Sequence, residues 1–286
     1  MPSGQKGGFA TYWTQFGQGP RQAVMIHCAL AQSSAWGGVA QYLSGALTMT
    51  AFDLPGHGRS GAWDASCGEM QALTAGIAAD FAREGPVDVI GHSFGATAAL
   101  RMAVLWPERV RSLVLIEPVF FAVATRDRPD IAEAQRAAEA DYAAAMAQGD
   151  HERAARHFLA IWGNGLAWED LRASQRAELA CQMALIEAEQ PALHDDVGGM
   201  LEPGVLEALQ MPVLLLEGSK SPPVIGVICD GLAMRLPRAE RAVIGGAGHM
   251  APLSHPAQVS AEILRFLRQD SAPALPCQKH LPHKIH

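Results

Sequence analysis

Ser93 stands in Gly91-His92-Ser93-Phe94-Gly95, between the apolar run PVDVI and the helical stretch ATAALRMAVLW. A serine hydroxyl is a weak nucleophile near neutral pH and needs a base beside it. A sharp strand-to-helix turn would push Ser93 out at the end of a sheet, and small residues on either side let the backbone bend without clashes. The helix that follows starts at the serine, so its free N–H groups and dipole face any negative charge that develops there. The chemistry this pattern implies is attack by Ser93 on a carbonyl carbon.

The base is expected at His249, in GGAGHMAPLSHP, a loop after the last apolar run and before the last helix. His255 is the local competitor, but it precedes Pro256 and suits a surface or capping role. His92 lies inside the turn itself and is expected to pack or to orient. A third group, usually a carboxylate, holds the tautomer of such a base and stabilises its imidazolium. Three carboxylates are candidates: Glu117 at the end of LVLIE, Glu217 just before Gly218, and Asp230 further along. A carboxylate that closes an apolar run, as Glu117 does, is costly unless it has a partner. A dyad supported by water or serine is the remaining possibility.

The elements that must position these groups are legible in the hydrophobic pattern. QAVMIHC (22–28), LTMTAFDL (47–54), PVDVIG (86–91), VRSLVLIEP (110–118), MPVLLLEG (211–218) and RAVIGG (241–246) read as strands. They are nearly continuous in apolar residues, as strands covered on both faces are. Helices are predicted near 34–45, 66–84, 94–106 and 256–269. The alternation argues for an α/β fold, a mostly parallel sheet with helices on both faces. Between about 124 and 200 the rhythm changes. The stretches 130–148, 150–163 and 174–190 are helical in period, with Asp150 placed to cap the second. The expected organisation is a core of 1–123 and 200–270, a helical insertion at 124–199 that covers the strand ends, and a loose C-terminal tail at 271–286.

Four stretches in order carry a resemblance to the α/β-hydrolase superfamily: HCALAQSSAW from His27, FDLPGHGRS at 52–60, GHSFG, and GAGHMAPLSHP. The match covers about 20–120 and 210–270, and the helical segment between resembles the family's cap. What this resemblance implies is a serine hydrolase with Ser93, an acid and His249 in that chain order. It also implies an oxyanion hole made by the backbone N–H groups of Phe94 and Ala29, with Leu30 as the neighbouring alternative. Cys28 replaces the usual glycine of that loop. His57 is structural in most relatives. Most relatives keep the acid on the turn after the strand MPVLLLEG, yet Gly218-Ser219-Lys220-Ser221 has no carboxylate. Some members instead place it where Glu117 stands, so Glu117 is the expected acid. Ser221 is then a loop residue or a support behind the acid, and its replacement by alanine should do little.

The resemblance implies cleavage of a carboxylic ester or related small acyl substrate through an acyl-enzyme. A C–C hydrolase, a lactonase or a cofactor-free perhydrolase would use similar residues. A ligand-binding protein without catalysis is the reading from another class. His27, Leu30, Phe158, Trp162, Trp168 and Met250 are expected near substrate, although the aromatic residues could equally pack the helical segment onto the core. No metal or organic cofactor is implied.

Composition narrows the partners. In 286 residues the net charge is −7 without a basic cluster, which argues against nucleic acid and anionic membrane. Five scattered cysteines without CxxC spacing argue against a disulfide framework or a zinc site. The opening MPSGQKGGFATYW lacks the layout of a signal peptide, and the cytoplasm is the expected location.

Overall fold

The computed structural model describes residues 2–163, 165 and 167–270. The tail expected at 271–286, with His280, His283 and His286, lies outside the described residues. The strands are β1 (Ser3–Lys6), β2 (Phe9–Phe16), β3 (Arg21–Ile26), β4 (Leu47–Phe52), β5 (Val87–His92), β6 (Val110–Ile116), β7 (Val213–Gly218) and β8 (Ala239–Ile244). They form one sheet in the order β1-β2-β4-β3-β5-β6-β7-β8. From β4 to β8 every neighbour pair is parallel, while β1 and β2 run antiparallel at the edge. The six strands read as near-continuous apolar runs are the six parallel ones.

Helices α1 (Gly37–Leu43), α2 (Met70–Phe81) and α3 (Phe94–Leu105) lie between the early strands. The segment from β6 to β7 carries α4 (Phe121–Asp127), α5 (Pro129–Ala138), α6 (Ala140–Ala147), α7 (His151–Trp162) and α8 (Ala173–His194). The later helices are α9 (Pro223–Arg235), α10 (Ala251–Ser254) and α11 (Pro256–Asp270). One face of the sheet packs Val24, Val89, Leu113 and Leu215 with Ile77, Leu100 and Ile228 from α2, α3 and α9. The other packs Met25, Ile90, Val114 and Leu216 with Leu43 and Ile263 from α1 and α11. Burial on both faces explains why these strands carry so little polar alternation. No described helix is long and apolar enough to cross a membrane.

Three features differ from the sequence reading. The β1–β2 hairpin was not predicted, because β2 is half-exposed and its pattern is weak. Its signal was Gly7-Gly8, both at positive φ, a pair suited to a two-residue turn. The helix predicted over 130–148 is two helices that meet at Glu139. Helix α8 runs past Pro191 to His194, since a proline near a helix end removes one N–H without stopping the last turn.

Candidate active site

Ser93 follows the last residue of β5 and has φ 57 and ψ −121, a conformation that L-residues rarely adopt. The glycines around it are required by close approach. A Cβ on Gly91 would lie 2.3 Å from the Gly95 carbonyl oxygen, and one on Gly95 would lie 2.3 Å from that of Ile26. The β5–α3 turn is therefore tight enough to exclude any side chain at either position. The sheet ladder continues into the turn: β5 and β6 pair up to His92 and Ile116, and Ser93 N–H donates to the Ile116 carbonyl at 2.9 Å.

Glu117 is the residue after β6, one strand over, and it too has a positive φ of 53. Its N–H donates to the Leu216 carbonyl of β7 at 2.7 Å. The side chain is fully buried. One carboxylate oxygen, Oε1, accepts from the Gly218 N–H and from Ser221 Oγ, the latter at 2.7 Å. The other, Oε2, lies 3.0 Å from His249 Nδ1. His249 Nε2 lies 2.9 Å from Ser93 Oγ. A carboxylate can only accept, so Nδ1 carries the proton and Nε2 is the free lone pair that faces the serine. The His249 carbonyl accepts from His92 Nε2 at 2.9 Å, which holds the loop from beneath. Burial, then the neighbouring His249, holds the His92 imidazole down at about 3, so it stays neutral.

The other carboxylates stand elsewhere. Glu217 and Asp230 both pair with Arg241, which turns them away from His249. His255 bonds to Ser254 Oγ at 2.9 Å and takes no part in the cluster. Ser221 stands behind the acid: its hydroxyl is a direct donor to the buried Glu117 carboxylate.

Two loops frame the serine, and each holds the other. In the loop after β3, His27 Nδ1 donates to the Cys28 carbonyl at 2.7 Å, and its Nε2 accepts Leu54 N–H at 3.0 Å. In the loop after β4, His57 Nδ1 donates to the Pro55 carbonyl at 2.9 Å, and its Nε2 accepts Leu30 N–H at 3.1 Å. Both rings must be neutral to accept. Burial, aided by the facing His57, lowers His27 to about 3, and burial lowers His57 as well. Asp53 adds a second tie, accepting Ser33 N–H at 2.7 Å and Arg59 N–H at 2.8 Å. The Leu30 N–H is thereby spent, which removes Leu30 as an oxyanion donor and leaves Ala29 in this loop. Phe94 opens α3, where the first N–H groups lack intrahelical partners. Cys28 is buried and its thiol is pushed up to about 12, so it offers no thiolate nucleophile at neutral pH.

A cavity of about 60 Å³ lies over Ser93 and His249, bounded by Ala29, Phe121, Phe158 and Trp162 among others. At about 10–15 Å³ per water-sized occupant, it holds a short chain rather than a bulky group. The Trp162 ring meets the His249 ring edge-on at 4.8 Å, and its Nε1 donates to Glu139 at 3.2 Å. Two wider grooves share its walls: about 890 Å³ past Glu139, Tyr142, Gln190 and His194, and about 420 Å³ past Ala29, Phe158 and Trp162. Leu30 and Met250 line the second groove rather than the inner cavity. Trp168 packs instead against Ala145, Met183 and Ile186, and His27 has both ring nitrogens committed to backbone, so neither lines the inner cavity.

The sequence reading missed Glu139, Tyr142, Glu189, Gln190 and His194, which line the cavity. For Glu189 a signal existed: it falls in the stripe Met183, Ile186, Glu189, Leu193 that α8 buries. No group of three or more His, Cys, Asp or Glu among the described residues is placed to hold a metal ion.

A family model described as "Alpha/beta hydrolase family" matches residues 23–262. The chain is 28% identical over 260 residues to a pimeloyl-[acyl-carrier protein] methyl ester esterase of Klebsiella pneumoniae, covering 88% of this chain and 96% of that protein. It is 29% identical over 252 residues to the protein of the same name from Nitrosomonas europaea, covering 85% and 93%. Among solved structures, an alpha/beta hydrolase from Sphaerobacter thermophilus superposes with a TM-score of 0.68 at 19% identity, covering 93% of this chain and 100% of that one.

Proposed function

The chain belongs to the alpha/beta hydrolase family, and we propose that it hydrolyses carboxylic esters through an acyl-enzyme on Ser93. The observation that carries this reading is the hydrogen-bonded series Ser93 Oγ, His249 Nε2, His249 Nδ1, Glu117 Oε2, at 2.9 and 3.0 Å. His249 takes the serine proton as Oγ attacks the carbonyl carbon. Glu117 keeps the proton on Nδ1 and stabilises the imidazolium that forms. The N–H groups of Phe94 and Ala29 donate to the oxyanion. His249 then protonates the leaving alkoxide, activates a water, and the acid is released. The segment 124–199 serves as a cap over a core made of 1–123 and 200–270, with Phe158 and Trp162 among its contributions to the cavity wall.

The narrow cavity supports a substrate with one slim group at the scissile ester. The relatives named for a methyl ester support the same choice, a small alcohol on a longer acyl chain. The test is turnover of p-nitrophenyl acetate and butyrate by wild type and by Ser93→Ala, with fluorophosphonate labelling of both. Equal turnover in the two proteins removes Ser93 as nucleophile, and folded wild type that takes no label supports a binding protein instead.

A further inference from the structure

Five polar side chains line the inner cavity beyond the serine and its histidine; three of them are hydrogen-bonded to the protein and a fourth is held by ring stacking. Glu139 accepts from Gln135 Nε2 at 2.9 Å and Trp162 Nε1 at 3.2 Å. The Tyr142 hydroxyl donates to Glu187 at 2.8 Å, and Gln190 Nε2 donates to the Ile186 carbonyl at 3.3 Å. His194 stacks on Phe121 with ring centroids 4.6 Å apart. The fifth is Glu189. It is 2% exposed, it borders the cavity, and its Oε1 has no hydrogen-bond partner among the described residues. No Lys or Arg borders the cavity to pair with it. Burial pushes its carboxyl well above the ordinary carboxylate range, which favours the acid form, able to donate and accept.

A buried polar atom left unpaired is destabilising, and such atoms are rare in folded proteins. Glu189 itself borders the cavity, where substrate goes. We propose that Glu189 binds an uncharged hydrogen-bonding group of the substrate, a hydroxyl, keto or amide, on the chain that lies against α8. This rests on the inner cavity being the ester-binding site. A free carboxylate on the substrate would face Glu139 and Glu189 with no cation to receive it. An ammonium would leave water for a wall of Val119, Phe121, Ile161, Ile186 and Leu193, a transfer that one carboxylate rarely offsets. A site built to bond a polar group rejects the analogue that lacks it, because its own polar atom is then left unpaired.

The experiment compares matched esters over a series of chain lengths, on both sides of the ester bond. Methyl ω-hydroxyalkanoates are set against methyl alkanoates, and ω-hydroxyalkyl acetates against alkyl acetates. Wild type should favour the hydroxylated member of at least one series by about tenfold or more in kcat/KM. Glu189→Leu should abolish that preference while Tm stays at or above wild type, the mark of a folded variant. Glu189→Gln, which keeps donor and acceptor, should retain most of it. The same ratio should appear as a binding ratio by calorimetry on Ser93→Ala protein. Turnover that survives Ser93→Ala would refute the serine mechanism while leaving this binding ratio to be read by itself. Equal preference in wild type and Glu189→Leu overturns the proposal, as does a stronger preference for ω-amino than for ω-hydroxy esters.

Discussion

Glu117→Gln isolates the charge of the acid from its shape. In the wild type, Oε1 receives two donors, the fixed Gly218 N–H and Ser221 Oγ, and Oε2 faces the proton on His249 Nδ1. Glutamine must give its amide to one side or the other. With the amide toward His249, Nδ1 has to become the acceptor, Nε2 gains the proton, and no lone pair faces Ser93 Oγ. That wrong tautomer lowers kcat by about 10⁴-fold in triads of this type, about 5.5 kcal/mol of barrier. With the amide reversed, two N–H donors face each other in a fully buried site, at about 1–3 kcal/mol, and the imidazolium still loses its counter-charge. The smaller of these penalties, with the lost counter-charge added to it, sets the floor, so kcat should fall by about 10- to 10⁴-fold with the fold retained. The assay is steady-state hydrolysis of p-nitrophenyl butyrate together with the rate of fluorophosphonate labelling, which should fall in parallel. A kcat within about tenfold of wild type in a folded variant would refute the assignment of Glu117. Glu217→Gln is the matched control and should leave kcat unchanged, because Arg241 holds that carboxylate away from His249.

Ser221→Ala removes one of two donors to Glu117 Oε1 and should lower kcat by about 3- to 10-fold with the fold intact, read in the same assay. Ser93→Gly should abolish turnover yet raise Tm, because glycine adopts the φ 57 backbone without the roughly 1–2 kcal/mol that an L-residue incurs there. His27 and His92 are neutral when folded, with pKa values lowered from 6.5 to about 3, and His57 is lowered too. Above pH 6.5 these rings are neutral folded or unfolded and add no pH dependence. Below it the unfolded chain binds protons that the folded one cannot. Stability should therefore fall with falling pH between about 6.5 and 3, by about 1.4 kcal/mol per pH unit for each such ring. Urea titrations at a series of pH values read this slope, and His92→Asn should flatten it.

The parallel sheet was legible because strands buried on both faces leave little room for polar residues, and the runs ending in His92 and Ile116 show this plainly. The serine turn was legible because its glycines are sterically required. The break at Glu139 was not, since the Ala-rich stretch around it keeps helical period on both sides. Hydrophobic pattern reports where a helix faces, not where its backbone stops. The hydrogen bond from Ser221 was not legible for another reason: it depends on a carboxylate far away in the chain, at the end of a different strand. The ties between His27, His57 and the opposite loops were hidden in the same way, because backbone donors carry no residue signature.

The Glu117 carboxylate belongs to β6 by connectivity but to the β7 turn by location. Its Oε1 sits among the donors of Gly218 and Ser221, one strand spacing, about 4.8 Å, from its own strand. The charge stands beside His249 although its point of attachment is the strand next to β7, and the length of a glutamate side chain supplies the reach. A chain that lacks the expected carboxylate on one strand is not thereby inactive, because the same place beside the histidine can be reached from the strand next to it.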